Sequence, residues 1–105
     1  MAQSDEPASE GAAPNLKPRT GGHILVDQLL LHGVEMAFCV PGESYLGALD
    51  ALFDKKKSIK VINARHEAGA ANMAESYGKL TGKPGVALVT RGPGACHASV
   101  GVHIA

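Results

Sequence analysis

The chain has 105 residues, of which 45% are hydrophobic, and its ten basic and ten acidic side chains give a formal net charge of zero. This length allows one domain at most, and a chain without a basic excess is not expected to bind nucleic acid or an anionic membrane. No apolar run approaches the roughly 20 residues of a membrane span, and the N-terminus lacks the layout of a secretory signal. We therefore expect a cytoplasmic protein.

The first twenty residues differ in composition from the rest. They are rich in small and polar residues, they contain three prolines, and Leu16 is their one large aliphatic side chain. Such a segment buries too little apolar surface to offset the entropy lost on ordering. The sequence predicts a disordered tail over 1–20 and a folded region over 21–105.

Helical and strand-like patterns alternate through the folded region. A helix is predicted from Ile24 to His32, with Gly33 as its C-terminal stop. Short apolar runs predict strands at 36–40, 59–64 and 86–89, and the last has the composition of a strand buried on both faces. A helix follows each strand, at 46–57 with Ser44 as its cap, at 68–80 and at 95–105. This order predicts an α/β fold with a parallel sheet and right-handed crossovers, and about 85 residues after the tail suggest an incomplete domain.

Three strand-to-helix corners, at 40–44, 65–67 and 90–94, should meet at one edge of a parallel sheet, where α/β proteins bind ligands. Glu67 occupies the second corner. It has two interpretations, since a carboxylate in a first helical turn is also favourable in solvent, next to the helix dipole. The small side chains of residues 69–71 directly behind it favour a contact site.

Other binding motifs are excluded by their spacing. Gly92-Pro93-Gly94 lacks the third glycine of a dinucleotide fingerprint, because His97 stands there, and Pro93 removes an amide donor. The segment 78–84 has too short a spacer for a P-loop. The five histidines are scattered and the two cysteines have no metal-ligand spacing, so ordinary packing or polar roles are expected for them and no metal site is predicted.

Taken in order, the motifs resemble those of the acetolactate synthase and pyruvate oxidase family of thiamine-diphosphate enzymes. The resemblance covers Gly21 to Ala105 and rests on Gly33-Val34, Val40-Pro41-Gly42, Ala64-Arg65-His66-Glu67, Met73-Ala74-Glu75-Ser76-Tyr77-Gly78 and Val89-Thr90-Arg91-Gly92-Pro93-Gly94. It implies the N-terminal part of a pyrimidine-binding domain, a three-layer α-β-α arrangement with flavodoxin-like βα units.

The resemblance also implies roles for individual residues. Glu67 would be the catalytic acid that hydrogen-bonds the aminopyrimidine ring and, by sharing a proton with it, favours the imino tautomer. Desolvation of such a carboxyl is expected to raise its pKa. Pro41 and Gly42 would line the pyrimidine slot, and Gly92, Pro93 and Gly94 would shape the region where two domains meet.

The family holds magnesium and the diphosphate in a separate domain with a Gly-Asp-Gly motif, which this sequence does not contain. The chain is therefore expected to be inactive without a diphosphate-binding domain or subunit, to act on 2-oxo acids in the full enzyme, and to form homo-oligomers when complete. Two departures, Glu43-Ser44-Tyr45 after Pro41-Gly42 and His97 in place of an asparagine, leave the substrate and the binding of FAD open. The alternatives are a non-catalytic flavodoxin-like binding module and the pyrimidine subunit of a two-chain decarboxylase.

Overall fold

The computed structural model describes residues 18–105, so all but the last three residues of the predicted tail lie outside the described part. Within the described residues four helices and three strands alternate, with a short 3-10 helix at Glu43–Tyr45. In chain order they are α1 (Gly21–Leu31), β1 (Met36–Cys39), α2 (Leu46–Asp54), β2 (Lys60–Asn63), α3 (Glu67–Thr81), β3 (Val86–Leu88) and α4 (Arg91–Ile104).

The three strands form one parallel sheet in the order β2-β1-β3. Strand β1 is central, and its residues Ala37, Phe38 and Cys39 are buried. Strand β3 pairs only with β1 within the described residues, and Ala87 in its middle is exposed. The predicted parallel α/β fold is confirmed, but the expectation that 86–89 is buried on both faces is wrong, and β1 is the strand with that character.

Two hydrophobic clusters lie on opposite faces of the sheet, which gives the three-layer arrangement expected of a flavodoxin-like domain. On one face Ala37 packs with side chains of α1 and α2 and with Ile59, and on the other Phe38 packs with Ala70 and Ala74 of α3. Neighbouring residues of β1 thus point to opposite layers, as the period of a strand requires. Helix α4 lies against α3.

Glycines lie at the end of α1 and at the point where α1 crosses α2. Gly33 follows α1 with a φ of +79°, which agrees with its predicted role as a helix stop. Where α1 meets α2, a Cβ atom on Gly22 would lie only 2.2 Å from the carbonyl oxygen of Gly47. The two backbones are therefore in direct contact at this crossing.

Two local predictions are wrong. Ser44 does not cap α2, because it lies within the 3-10 turn that precedes the helix, and its hydroxyl contacts that of Thr90 instead. Helix α4 begins at Arg91 rather than at 95, so Gly92-Pro93-Gly94 form its first turn and not a loop. Proline is tolerated there because the first-turn amides have no partner within the helix.

Within residues 18–105, none of the helices combines the length and the apolar character needed to cross a bilayer.

Candidate functional site

The corners after β1 and β3 touch each other at the carboxyl edge of the sheet. The hydroxyls of Ser44 and Thr90 are hydrogen-bonded, and a Cβ atom on Gly42 would lie 2.6 Å from the Cβ of Thr90. Arg91 and Glu43 form an exposed ion pair of 3.9 Å across the same contact. Glycine at 42 therefore permits an approach that any larger residue would prevent.

Tyr45 lies between the ends of β1 and β3. Its hydroxyl is within hydrogen-bonding distance of the carbonyl oxygens of Val40 and Leu88, at 3.1 Å for the latter. Burial, with smaller contributions from Cys39 and Glu67, raises the pKa of Tyr45 to about 12. The phenol is therefore neutral at physiological pH and can donate its hydrogen to the strand ends.

Glu67 is the first residue of α3, and only 9% of its surface is exposed, which excludes the solvated first-turn acid. Its Oε1 lies 3.0 Å from Nδ1 of His97, in the second turn of α4. Its Oε2 lies 3.6 Å from the position that a Cβ atom on Gly94 would take. The acid of the middle corner thus faces the first two turns of α4.

The pKa of Glu67 is lowered, which contradicts the expected rise. The hydrogen bond from its own backbone N–H is the largest cause, the one from His97 is next, and desolvation opposes them with a smaller effect. Hydrogen bonds to an ionised carboxylate stabilise its charge. Glu67 is therefore a buried carboxylate that is ionised at neutral pH.

His66 and His97 were not singled out from the sequence as site residues, yet they surround this carboxylate. The Nδ1 atom of His66 accepts a hydrogen bond of 3.0 Å from the N–H of Ala68 and so caps α3. The rings of His66 and His97 stack with centroids 4.5 Å apart and planes inclined by 27°. The sequence alone does not place His97 near Glu67. Its location follows only when α4 is known to begin at Arg91, because His97 then lies in the second helical turn, three residues after Gly94.

The same three side chains offer ligand atoms within 4.8 Å of one another. However, Nδ1 of His66 is occupied by the Ala68 N–H and Nδ1 of His97 by Glu67, so both atoms have partners without a cation. A second such group, His23 with Asp50 and Asp54, lies at the α1–α2 crossing and includes a hydrogen bond of 2.8 Å between Nε2 of His23 and Oδ2 of Asp54. Hydrogen bonds within the protein account for both groups.

The structure brings some of the predicted site residues together and leaves others at the rim. Gly42 contacts Thr90, and Gly94 is buried next to Glu67. Pro41, Gly92 and Pro93 belong to the same corners but are exposed.

Residues 19–105 match the family described as thiamine pyrophosphate enzyme, N-terminal TPP binding domain. This chain belongs to that family. The TPP binding domain accounts for the parallel α/β fold and for all of the described residues but one.

Similar proteins include several acetolactate synthases. The chain is 47% identical over 88 residues to "Acetolactate synthase" of Bacillus subtilis (strain 168), which covers 84% of this chain and 15% of that protein. It is 45% identical over 82 residues to "Acetolactate synthase, catabolic" of Raoultella terrigena, with 78% and 14% covered, and 43% identical over 86 residues to "Acetolactate synthase large subunit" of Lactococcus lactis, with 82% and 15% covered. The chain therefore spans about one seventh of the length of these relatives.

The chemistry of this edge fits the aminopyrimidine part of thiamine pyrophosphate. A protonated pyrimidine nitrogen needs an acceptor, and a buried ionised carboxylate such as Glu67 is a strong one. On the side of Oε2 lies Gly94 of α4, which has no side chain, and a Cβ atom there would lie 3.6 Å from this oxygen. The carboxylate thus has one oxygen bound by His97 and the other next to a glycine, which is compatible with a flat ring that donates a hydrogen bond.

Proposed function

We propose that Glu67 binds the aminopyrimidine ring of thiamine diphosphate, and that the domain serves a 2-oxo acid carboligase or decarboxylase resembling acetolactate synthase. The burial of the Glu67 carboxylate at the edge where the three corners converge is the observation that carries this proposal. Family membership and the named relatives support it.

Each residue has a distinct part in this proposal. The Glu67 carboxylate accepts a hydrogen bond from the ring nitrogen and can hold the proton shared between them. Pro41, Gly42 and the turn formed by Gly92, Pro93 and Gly94 line the slot. When bound, thiamine diphosphate supplies the nucleophile for carbon–carbon chemistry on 2-oxo acids, while the protein provides orientation and electrostatics.

The proposal extends to parts that lie outside this chain. The diphosphate and its magnesium ion would be held by a second domain or subunit, and the complete enzyme would be a cytoplasmic homo-oligomer. Flavin absorbance of the complete enzyme would decide whether FAD is also bound. A two-chain enzyme is included in this proposal, because the pyrimidine site is the same in both arrangements.

The first experiment titrates thiamine into the 105-residue chain and follows backbone amides by NMR. We expect shifts at Gly42, Gly94 and Glu67, and weaker binding in Glu67→Gln, since the amide side chain has no charge and cannot exchange the proton. The matched control is Glu75→Gln, because Glu75 lies two turns later on α3 and its side chain is 11% exposed, the same fraction as that of Glu67.

The outcomes separate the proposal from its alternative. Equal thiamine affinity in the wild type and in Glu67→Gln, with both folded, would show that Glu67 does not bind the ring. A folded wild-type chain that gives no shifts at millimolar thiamine would favour the non-catalytic binding module.

A further inference from the structure

The contact between His97 and Glu67 joins two elements that are distant in the chain. His97 lies in α4, thirty residues after Glu67, and reaches back across the site to the first residue of α3. A carboxylate can only accept a hydrogen bond, so Nδ1 of His97 must carry the hydrogen and donate it to Oε1. The direction of this bond follows from the ionised state of Glu67.

The ring of His97 is itself held in place. It stacks on His66, with 4.5 Å between the ring centroids. His66 is fixed in turn because its Nδ1 accepts the N–H of Ala68 at the start of α3. Through these contacts His97 on α4 is held against the N-terminal end of α3, which also carries Glu67.

The two oxygens of Glu67 consequently have different surroundings. Oε1 is bound by His97, and Oε2 faces Gly94, where the residue has no side chain. We infer that His97 is a positioning residue, which holds Oε1 so that Oε2 is directed to the aminopyrimidine ring. This inference rests on the proposed function for the identity of the ligand, but the contact itself can be tested without any ligand.

Two substitutions separate the ring of His97 from its hydrogen-bond donor. His97→Phe keeps an aromatic ring that can stack on His66 but removes the N–H, whereas His97→Gln keeps an N–H donor and removes the ring. His103 lies later on α4, is exposed, and provides the matched controls His103→Phe and His103→Gln.

The experiment measures the pKa of Glu67 by carbon-13 NMR of its side chain and the affinity for thiamine, both on the whole chain. In His97→Phe we expect the pKa of Glu67 to move up toward its ordinary value and the affinity for thiamine to fall about three- to tenfold, the range of one lost ordinary hydrogen bond, because His97 acts on the ligand only through Glu67. His97→Gln should recover part of both effects. The His103 variants should behave as the wild type.

The result that overturns the inference is an unchanged pKa of Glu67 in a folded His97→Phe chain. An equal loss of affinity in His97→Phe and His97→Gln, with the pKa of Glu67 near the wild-type value in both, would also overturn it, because the ring alone would then matter. Failure of the proposed function differs, since the wild type would then not bind thiamine while the pKa of Glu67 would still respond to His97→Phe.

Discussion

The crossing of α1 and α2 allows a sharp test of the packing, because Gly22 lies against the backbone of Gly47 there. Each is the second residue of its helix, so replacement by alanine has the same intrinsic effect on helix formation at both sites. The surroundings differ. A Cβ atom on Gly22 would lie 2.2 Å from the carbonyl oxygen of Gly47, whereas a Cβ atom on Gly47 would meet nothing within 4 Å.

The expected magnitudes follow from these distances. A carbon atom needs roughly 3.5 Å to a nonbonded neighbour, so Gly22→Ala must open the crossing by about 1 Å. The blocking atom is backbone and cannot rotate away, and overpacking of this kind costs about 1–3 kcal/mol. We expect a net loss of about 2 kcal/mol for Gly22→Ala and a gain of about 0.5 kcal/mol for Gly47→Ala, through reduced entropy of the unfolded chain.

Thermal and urea unfolding of the two variants, followed by circular dichroism, measures both values. For a chain of this size the expected shifts in Tm are roughly −10 °C for Gly22→Ala and +3 °C for Gly47→Ala. Equal effects of the two substitutions, or a more stable Gly22→Ala, would show that α1 and α2 do not cross at these glycines.

Three further predictions concern the site edge. Because the pKa of Glu67 is lowered in the folded chain, its contribution to stability is present above the unfolded pKa and is lost as the pH falls. The stability of Glu67→Gln should therefore decrease less steeply than that of the wild type below about pH 4.5. Identical acid-unfolding profiles of the two chains would contradict this. Tyr45→Phe should cost about 1 kcal/mol in urea unfolding, because its hydroxyl bonds the ends of β1 and β3. Since the pKa of Tyr45 is raised to about 12, the stability contributed by the neutral phenol should be complete below the ordinary value of 10.0 and fall as the pH rises toward 12. A midpoint near 10 in the absorbance titration of Tyr45 would refute the raised pKa.

The order of elements and the parallel sheet could be predicted from the sequence because both depend on local patterns. Apolar runs of strand length and helical spacing of small and aliphatic residues locate β1, β2 and α3 to within about two residues. The position of Gly33 directly after the apolar pattern predicts a helix stop, and its φ of +79° agrees with this.

The start of α4 could not be predicted, because glycine and proline usually mark turns. Gly92 and Pro93 are tolerated in the first helical turn because the amides there lack intrahelical partners, and the N–H of Gly94 makes the first bond of the helix, to the carbonyl of Thr90 at 3.0 Å. The predicted cap at Ser44 is wrong for a related reason, since its hydroxyl bonds a residue 46 positions away rather than its own helix.

Glu67 could be singled out because its corner is local, but its partner and its pKa could not. The bond to His97 spans thirty residues, and it exists only because α4 packs against α3. The sequence indicates that Glu67 is buried, and burial alone would raise its pKa. The hydrogen bonds from its own N–H and from His97, which lower the pKa instead, are known only from the structure.

The bridging contacts of the site also link ligand occupancy to folding. Ser44 with Thr90 and Glu67 with His97 join segments that are 46 and 30 residues apart, so these contacts form only when all three strand–helix units are docked. A molecule that binds there binds the folded chain but not the unfolded chain, and so it raises the free energy of unfolding by mass action. Saturation at one hundred times the dissociation constant would add about 2.7 kcal/mol to the stability of the whole fold. A vitamin-derived ligand would then stabilise the folded state of the domain that binds it.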